Sequence, residues 1–253
     1  MSALKEQLNL WWIALAFFTR VPVPASTRFS QSDLNRASRY FPAVGWFIGV
    51  VCASVLWLLL QVFPQDIAVL LSMALSLLLT GCFHEDGLAD TCDGLGGGWT
   101  PEQKLAIMKD SRIGTYGSAA LWLSLTIKFV ALSQLLHPVL ALLIAHPLSR
   151  IAPTCLIALM PYVSESATAK AKPLAESGSY TDAIIATATG GAALLLVDSA
   201  FFYLAILALI VLFSMIFLQR HLKGFTGDAL GAVQQVSELA IYLSMLVLMG
   251  GRA

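Results

Sequence analysis

Charge is what this chain has least of. Of 253 residues only 12% are Asp, Glu, Lys or Arg, about half the share in an average soluble domain. Basic and acidic residues number 15 each, for a formal net charge of zero, which leaves no basic excess to form a nucleic-acid surface. Cysteine is scarce too. Cys52, Cys82, Cys92 and Cys155 never approach CxxC spacing, so they read as reduced, buried thiols rather than a disulfide framework. Cys82 and Cys92 flank an acidic run but lie too far apart in sequence for a zinc pair. No internal repeat and no low-complexity tail is present. The opening MSALKEQLNLWWIALAFFTR carries Glu6 and a Trp pair, and no small-residue cleavage site precedes Arg20; the expectation is that it is not a signal peptide.

What the chain does have is apolar length. Apolar residues make up 58%, which indicates an integral membrane protein. A spanning helix needs about 20 mostly apolar residues. Seven runs qualify as candidates: Phe41–Phe63, Ile67–Phe83, Ser118–Leu136, Val139–Met160, Ala183–Val197, Ser199–Leu218 and Val233–Gly250. The fifth is short, contains glycine and is separated from the sixth only by Asp198. Leu8–Phe18 is too short to span, and its Trp11 and Trp12 suit an interfacial or re-entrant helix. The expected fold is therefore all-α: a polytopic transmembrane helical bundle of about seven spans plus an N-terminal interfacial helix. Residues 1–253 are expected to form a single integral-membrane catalytic domain. Within it, residues 1–40 would be a cytoplasmic or interfacial segment and residues 84–117 a catalytic loop.

The polar breaks alternate between minimal ones and long ones. Lysines and arginines outside the spans lie in the long set, apart from Arg252: the segment up to Tyr40, then residues 84–117, 161–182 and 219–232. The positive-inside rule places that set in the cytoplasm, and an odd span count then leaves the C-terminus outside.

Four of the chain's acids crowd into HEDGLADTCDG, residues 84–94: Glu85, Asp86, Asp90 and Asp93. Like charges this close call for a cation or basic partners. Asp86, Asp90 and Asp93 are spaced i, i+4, i+7, which puts them on one helix face. Hard oxygen ligands in such a row suit Mg²⁺ or Mn²⁺ bridging to substrate phosphates. His84, just before them, reads as a ligand, a proton donor or an interfacial histidine. Thr100-Pro101-Glu102-Gln103 reads as a helix start with a capping box, and the helix should run to about Lys109. Lys104, Lys109 and Arg112 bring cations back toward the acids, and RIGTYGS offers backbone amides at a helix N-terminus.

Asp228 forms a second acidic site, in a glycine-rich turn before the last span. On a helix, Gly231, Gln235 and Glu238 share its face. Glu238, Arg150 and Lys128 fall inside apolar spans, where ionisable residues mark functional sites or salt bridges holding helices together. Near the start, Arg20, Arg36 and Arg39 suit lipid headgroups or a polyphosphate.

Taken together, FHEDGLADTCDG, MKDSRIGTYG and GFTGDALGA, with TRVPVP near the start and SR in the fourth span, resemble the cobalamin synthase family. Its paired-aspartate motif also looks like that of CDP-alcohol phosphotransferases. The resemblance implies an enzyme of the bacterial inner membrane, multi-pass, with its active site facing the cytoplasm. It implies a Mg²⁺-dependent transfer that joins adenosylcobinamide-GDP to α-ribazole or its 5′-phosphate and releases GMP. It also implies Asp86, Asp90, Asp93 and Asp228 as catalytic acids and metal ligands, and Arg112 as the matching basic position. His84, Lys109, Arg150 and Glu238 join Arg112 as expected substrate-binding residues. Glu85 is an extra acid without an assigned role, and Gln235 stands where a second glutamate would be expected. Asp86 and Asp228 both remain candidates for the base. The lipid bilayer is an expected partner and nucleic acid is not; a homo-oligomer and other nucleotide-loop assembly enzymes stay open. Rival readings are a CDP-alcohol phosphotransferase of phospholipid synthesis, a prenyltransferase and a divalent-cation transporter.

Overall fold

The computed structural model describes residues 3–163 and 175–249. Lys170, Lys172, Arg252 and Gly250, the expected end of the last span, lie outside them. The order of helices is α1 (Ala3–Phe18), α2 (Gln31–Ala37), α3 (Phe41–Leu59), α4 (Gln65–Thr80), α5 (Phe83–Gly97), α6 (Pro101–Met108), α7 (Thr115–Gln134), α8 (Pro138–Leu148), α9 (Ile151–Leu159), α10 (Tyr180–Gly191), α11 (Ala200–His221) and α12 (Gly227–Met249). Among the described residues there is no strand, only an isolated bridge between Tyr162 and Phe225. The all-α polytopic bundle expected from the sequence is what forms.

Five helical segments are long and apolar enough to cross a membrane: Gln31–Leu59, Thr115–Gln134, Pro138–Leu159, Ala200–His221 and Gly227–Leu248. The α4–α5 pair is a sixth if counted as one. The expected count of about seven is thus corrected. The run at 183–197 falls short because its α-helix ends at Gly191 and its last turn is a 3-10 stretch, Ala192–Leu196. Gly190 and Gly191 are poor helix formers, and a Cβ at Gly190 would strike Ile151 at 2.7 Å. The thiol expectation is corrected in part. All four cysteines are free, but Cys82 is exposed, Cys92 and Cys155 are half-buried, and only Cys52 is buried, because Cys82 sits at a helix break.

Pro138–Leu159 runs through the middle, with 83% of its apolar window buried, against 22% for Ala200–His221. α11 therefore turns most of its surface outward, with Phe201, Leu209, Phe213 and Ile216 exposed, as a lipid-facing helix should. α3 packs against α8 through Gly45 and Gly49, four residues apart. A Cβ at Gly45 would come within 2.5 Å of the His146 carbonyl oxygen, and one at Gly49 within 3.0 Å of that of Leu142. Small residues at this spacing let two backbones approach where no hydrophobic drive separates protein from lipid. The N-terminal helix joins this core, with Leu10, Ile13 and Ala14 fully covered. Its segment is tied down by ion pairs: Arg36 to Glu6 at 2.5 Å, and Arg39 to Asp182 at 2.5 Å.

The feature that positions the site is a break. α4 ends at Gly81 (φ 66°), and Cys82 follows in the same left-handed region (φ 60°). Glycine takes that conformation freely, whereas a cysteine there costs about 1 kcal/mol or more. The two residues turn the chain so that α5 leaves α4 at 84°.

Candidate active site

The acidic run folds as one uninterrupted helix, α5, and the second acidic site opens another, α12. Thr226 caps α12, its Oγ1 accepting from the Ala229 N–H at 3.1 Å, so Asp228 stands in the first turn. α5 and α12 meet at glycines. A Cβ at Gly87 would lie 2.8 Å from the Asp228 carbonyl oxygen, and one at Gly231 would lie 3.4 Å from the Gly87 Cα. Gly87 lies between Asp86 and Asp90, so this contact draws Asp228 up to both. Asp90, one turn beyond Asp86 on α5, is partly buried and lies within reach of the charges of Asp228 and Asp86. Residues 90 and 228 thus lie on two helices that pack together at Gly87.

Asp86 and Asp228 line a cavity of about 670 Å³, within the size range of small-molecule sites. Its cations are Arg20 and Lys109; Thr80, Gly81 and Thr226 add small polar wall, and Phe17, Phe29 and Met108 are among the apolar residues.

Asp93 faces elsewhere. Its Oδ2 accepts from the Gly114 N–H at 2.7 Å and its Oδ1 from the Gly117 N–H at 2.8 Å. It is 7% exposed and closes the N-terminal turn of α7, where a carboxylate also meets the favourable end of the helix dipole. The i, i+4, i+7 row is therefore shared: two carboxylates serve the Asp228 side, and the third ties α5 to α7.

The other expected substrate-binding residues divide sharply. Lys109, at the end of α6, lines the cavity. That helix begins as the sequence indicated, with both capping-box hydrogen bonds of Thr100 and Gln103 formed. Arg112 stands outside the cavity on an 87% exposed side chain and forks onto Asp110, its Nη2 2.6 Å from Oδ2; the guanidinium lowers the Asp110 carboxyl to about 2. His84 is buried, its ring stacked on Phe18 at 5.2 Å. Arg150 is also buried, its Nη1 donating to the His146 carbonyl at 2.7 Å and its guanidinium 5.7 Å from the Phe18 ring centroid.

Glu238 belongs to a separate buried network. Lys128 Nζ lies 3.1 Å from Glu238 Oε1 and 3.8 Å from Glu85 Oε1, and it donates to Gln235 Oε1 at 3.2 Å. Gln235 in turn donates to Glu85 at 3.1 Å, Gln234 donates to Glu238 Oε2 at 2.9 Å, and the Tyr242 hydroxyl donates to Glu238 Oε1 at 3.0 Å. Glu85 thus has a place: one residue before Asp86, it points about 100° round α5 from it and joins α5, α7 and α12 inside the bundle. The sequence signal was Lys128, a cation in mid-span that must find acids; only Glu238 was weighed as an intramembrane acid. Gln235 accepts from Lys128 and donates to Glu85, which a glutamate there could not do.

Mg²⁺ was the expected metal. Among the described residues no three His, Cys, Asp or Glu side chains converge closely enough to hold a metal by themselves. Mg²⁺ commonly binds through one or two carboxylates, with the rest of its shell from waters and substrate phosphates. Asp86 and Asp228, which line one cavity, with Asp90 one turn beyond Asp86 on α5, form a donor set that fits this pattern.

Comparison with known proteins identifies the family. The profile of the cobalamin-5-phosphate synthase family matches residues 10–246. A protein of Shewanella pealeana named adenosylcobinamide-GDP ribazoletransferase is 48% identical over 256 residues, covering 98% of each chain. Proteins of the same name from Vibrio parahaemolyticus and Leptothrix cholodnii are 45% and 46% identical, covering 97% of this chain and 94% and 98% of their own. No solved structure gives a significant match. The chain belongs to the cobalamin-5-phosphate synthase family of membrane enzymes.

Proposed function

We propose that this chain joins adenosylcobinamide-GDP to α-ribazole or its 5′-phosphate, releasing GMP, and that it does so with Mg²⁺ at a cytoplasmic site in the bacterial inner membrane. The observation that carries this reading is that Asp86 and Asp228, from far-separated segments of a chain of this family, line one cavity together with Arg20 and Lys109. The cytoplasmic assignment rests on the basic residues of the breaks that border this cavity.

In this reading a ribose hydroxyl oxygen attacks the phosphorus on the cobinamide side of the diphosphate. The new P–O bond forms as the bond to the GMP phosphate breaks, and GMP leaves with the electron pair. Asp86 or Asp228 takes the hydroxyl proton. Asp86, Asp90 and Asp228 would hold Mg²⁺, which supplies charge neutralisation on the diphosphate oxygens. Lys109, which lines the cavity, binds a substrate phosphate, and the cavity's apolar residues limit water around it. Asp93 acts indirectly, by holding α5 against α7.

The test is the reaction itself. Purified protein in nanodiscs receives adenosylcobinamide-GDP, α-ribazole 5′-phosphate and Mg²⁺, and products are separated by chromatography. Equal amounts of GMP and of a nucleotide-bearing corrinoid are expected. Absence of GMP, or release of CMP from a CDP-alcohol instead, would sink the proposal.

A further inference from the structure

We propose that Arg20, in the N-terminal segment, and Lys109, at the end of α6, form the phosphate-binding side of the cavity and together grip the phosphate or diphosphate of a substrate. This deepens the function proposed above and rests on it for the identity of the substrates.

Arg20 is held in place by its surroundings. Thr19 Oγ1 donates to the Leu15 carbonyl at 2.7 Å and accepts from the Val21 N–H at 3.3 Å. The Arg20 N–H donates to the Leu79 carbonyl at 2.8 Å, which pins the segment to the end of α4. Pro22 and Pro24 stiffen the chain immediately after it. The side chain then lies across Gly81, at the α4–α5 break: a Cβ there would sit 2.5 Å from Arg20 Nε. So the left-handed glycine that bends the chain also leaves the room the guanidinium occupies.

Among the described cations without an ion pair, Arg20 and Lys109 are the two that line the cavity. Arg36, Arg39, Arg112 and Lys128 each have a carboxylate partner. Arg20 and Lys109 line the cavity, and neither makes an ion pair or side-chain hydrogen bond with a described residue. A guanidinium fork beside an ammonium group is a recurring phosphate clamp: arginine reads two oxygens at once and lysine adds a point charge. Arg20 comes from the N-terminal segment and Lys109 from the α6 end, so a phosphate held by both would tie these elements over Asp86 and Asp228.

Two sources could supply the group: the phosphomonoester of α-ribazole 5′-phosphate, or the diphosphate of adenosylcobinamide-GDP. The experiment compares wild type with Arg20→Gln, Arg20→Lys and Lys109→Gln in nanodiscs. KM and kcat are measured for α-ribazole, its 5′-phosphate and adenosylcobinamide-GDP, and inorganic pyrophosphate binding is measured by calorimetry. Arg20→Gln should raise KM for a phosphate-bearing substrate about tenfold or more, the loss expected when a charged hydrogen-bond partner goes, and change kcat less. A rise for α-ribazole 5′-phosphate but not for α-ribazole assigns the monoester; a rise for adenosylcobinamide-GDP assigns the diphosphate. Wild type should bind pyrophosphate, Arg20→Gln and Lys109→Gln should not, and Arg20→Lys should recover part of the binding. If wild type releases no GMP yet loses pyrophosphate binding on Arg20→Gln, the substrates are wrong and the anion site stands. If Arg20→Gln fails to fold, Arg20→Lys and Lys109→Gln decide. Pyrophosphate binding and every KM within twofold of wild type, even with lowered thermal stability, would show that Arg20 only caps α4 and overturn the proposal.

Discussion

Gly87 lies so close to Asp228 that a methyl group on it would come within 2.8 Å of the Asp228 carbonyl oxygen. That contact, with the Gly231 contact to Gly87 one turn on, joins the two acidic segments. Gly87→Ala should therefore improve the helix propensity of α5 by roughly 1 kcal/mol while pushing α12 away. GMP release should fall about a hundredfold, the scale expected when catalytic groups shift by about 1 Å. Parallel assays of turnover and thermal unfolding check this; full activity would show that the contact does not matter.

Asp93 should behave differently from the cavity acids. Both its oxygens accept backbone N–H groups, and Asn offers one oxygen and turns a donor toward the other N–H. Asp93→Asn should lose stability by about 1–3 kcal/mol as well as activity. Denaturant unfolding in detergent measures it, and unchanged stability would contradict the anchoring role.

The buried network predicts a rescue. Lys128→Met removes the ammonium that meets both Glu85 and Glu238 and should cost about 3–5 kcal/mol. Adding Glu238→Gln removes one of the two carboxylate charges, so the double variant should be more stable than Lys128→Met alone. Unfolding midpoints of the three proteins decide it; no difference between single and double variants would refute the charge balance.

Lys109 and Arg112 sit close in sequence but not in role. Lys109 lines the cavity, whereas Arg112 is exposed and engaged by Asp110. Lys109→Ala should raise KM for a phosphate-bearing substrate well above the rise caused by Arg112→Ala. Steady-state kinetics on both variants provide the comparison, and the reverse order would move the clamp to Arg112.

Much of this arrangement was legible in the sequence because the signals were local. Apolar runs of spanning length became helices, Thr100 and Gln103 formed the capping box they spell, and the helices carrying Asp90 and Asp228 pack together. What stayed hidden depends on partners far along the chain. The spacing of Asp93 gives its face of α5 but not that the amides of Gly114 and Gly117 wait there. Arg150 and Glu238 read as intramembrane charges, and either a ligand or a neighbouring helix could have answered them; for Glu238 it is Lys128, for Arg150 the His146 carbonyl and the Phe18 ring. Glu85 next to Asp86 looked redundant because a linear run hides the roughly 100° between successive residues of a helix. Arg20 suited a lipid headgroup or a polyphosphate, since nothing local reveals that it folds back over Gly81. The run at 183–197 had the composition of a span but not the helix length, because two glycines end it early.

The most direct test of the account is single-turnover GMP release by purified Asp86→Asn and Asp228→Asn, with folding checked by thermal unfolding. Both residues line the cavity, so each variant should keep the wild-type melting temperature and release GMP at least about a thousandfold more slowly, the order of effect seen when an electrostatic catalytic group is removed. A near-normal rate in either variant would contradict the claim that α5 and α12 build the reacting centre together.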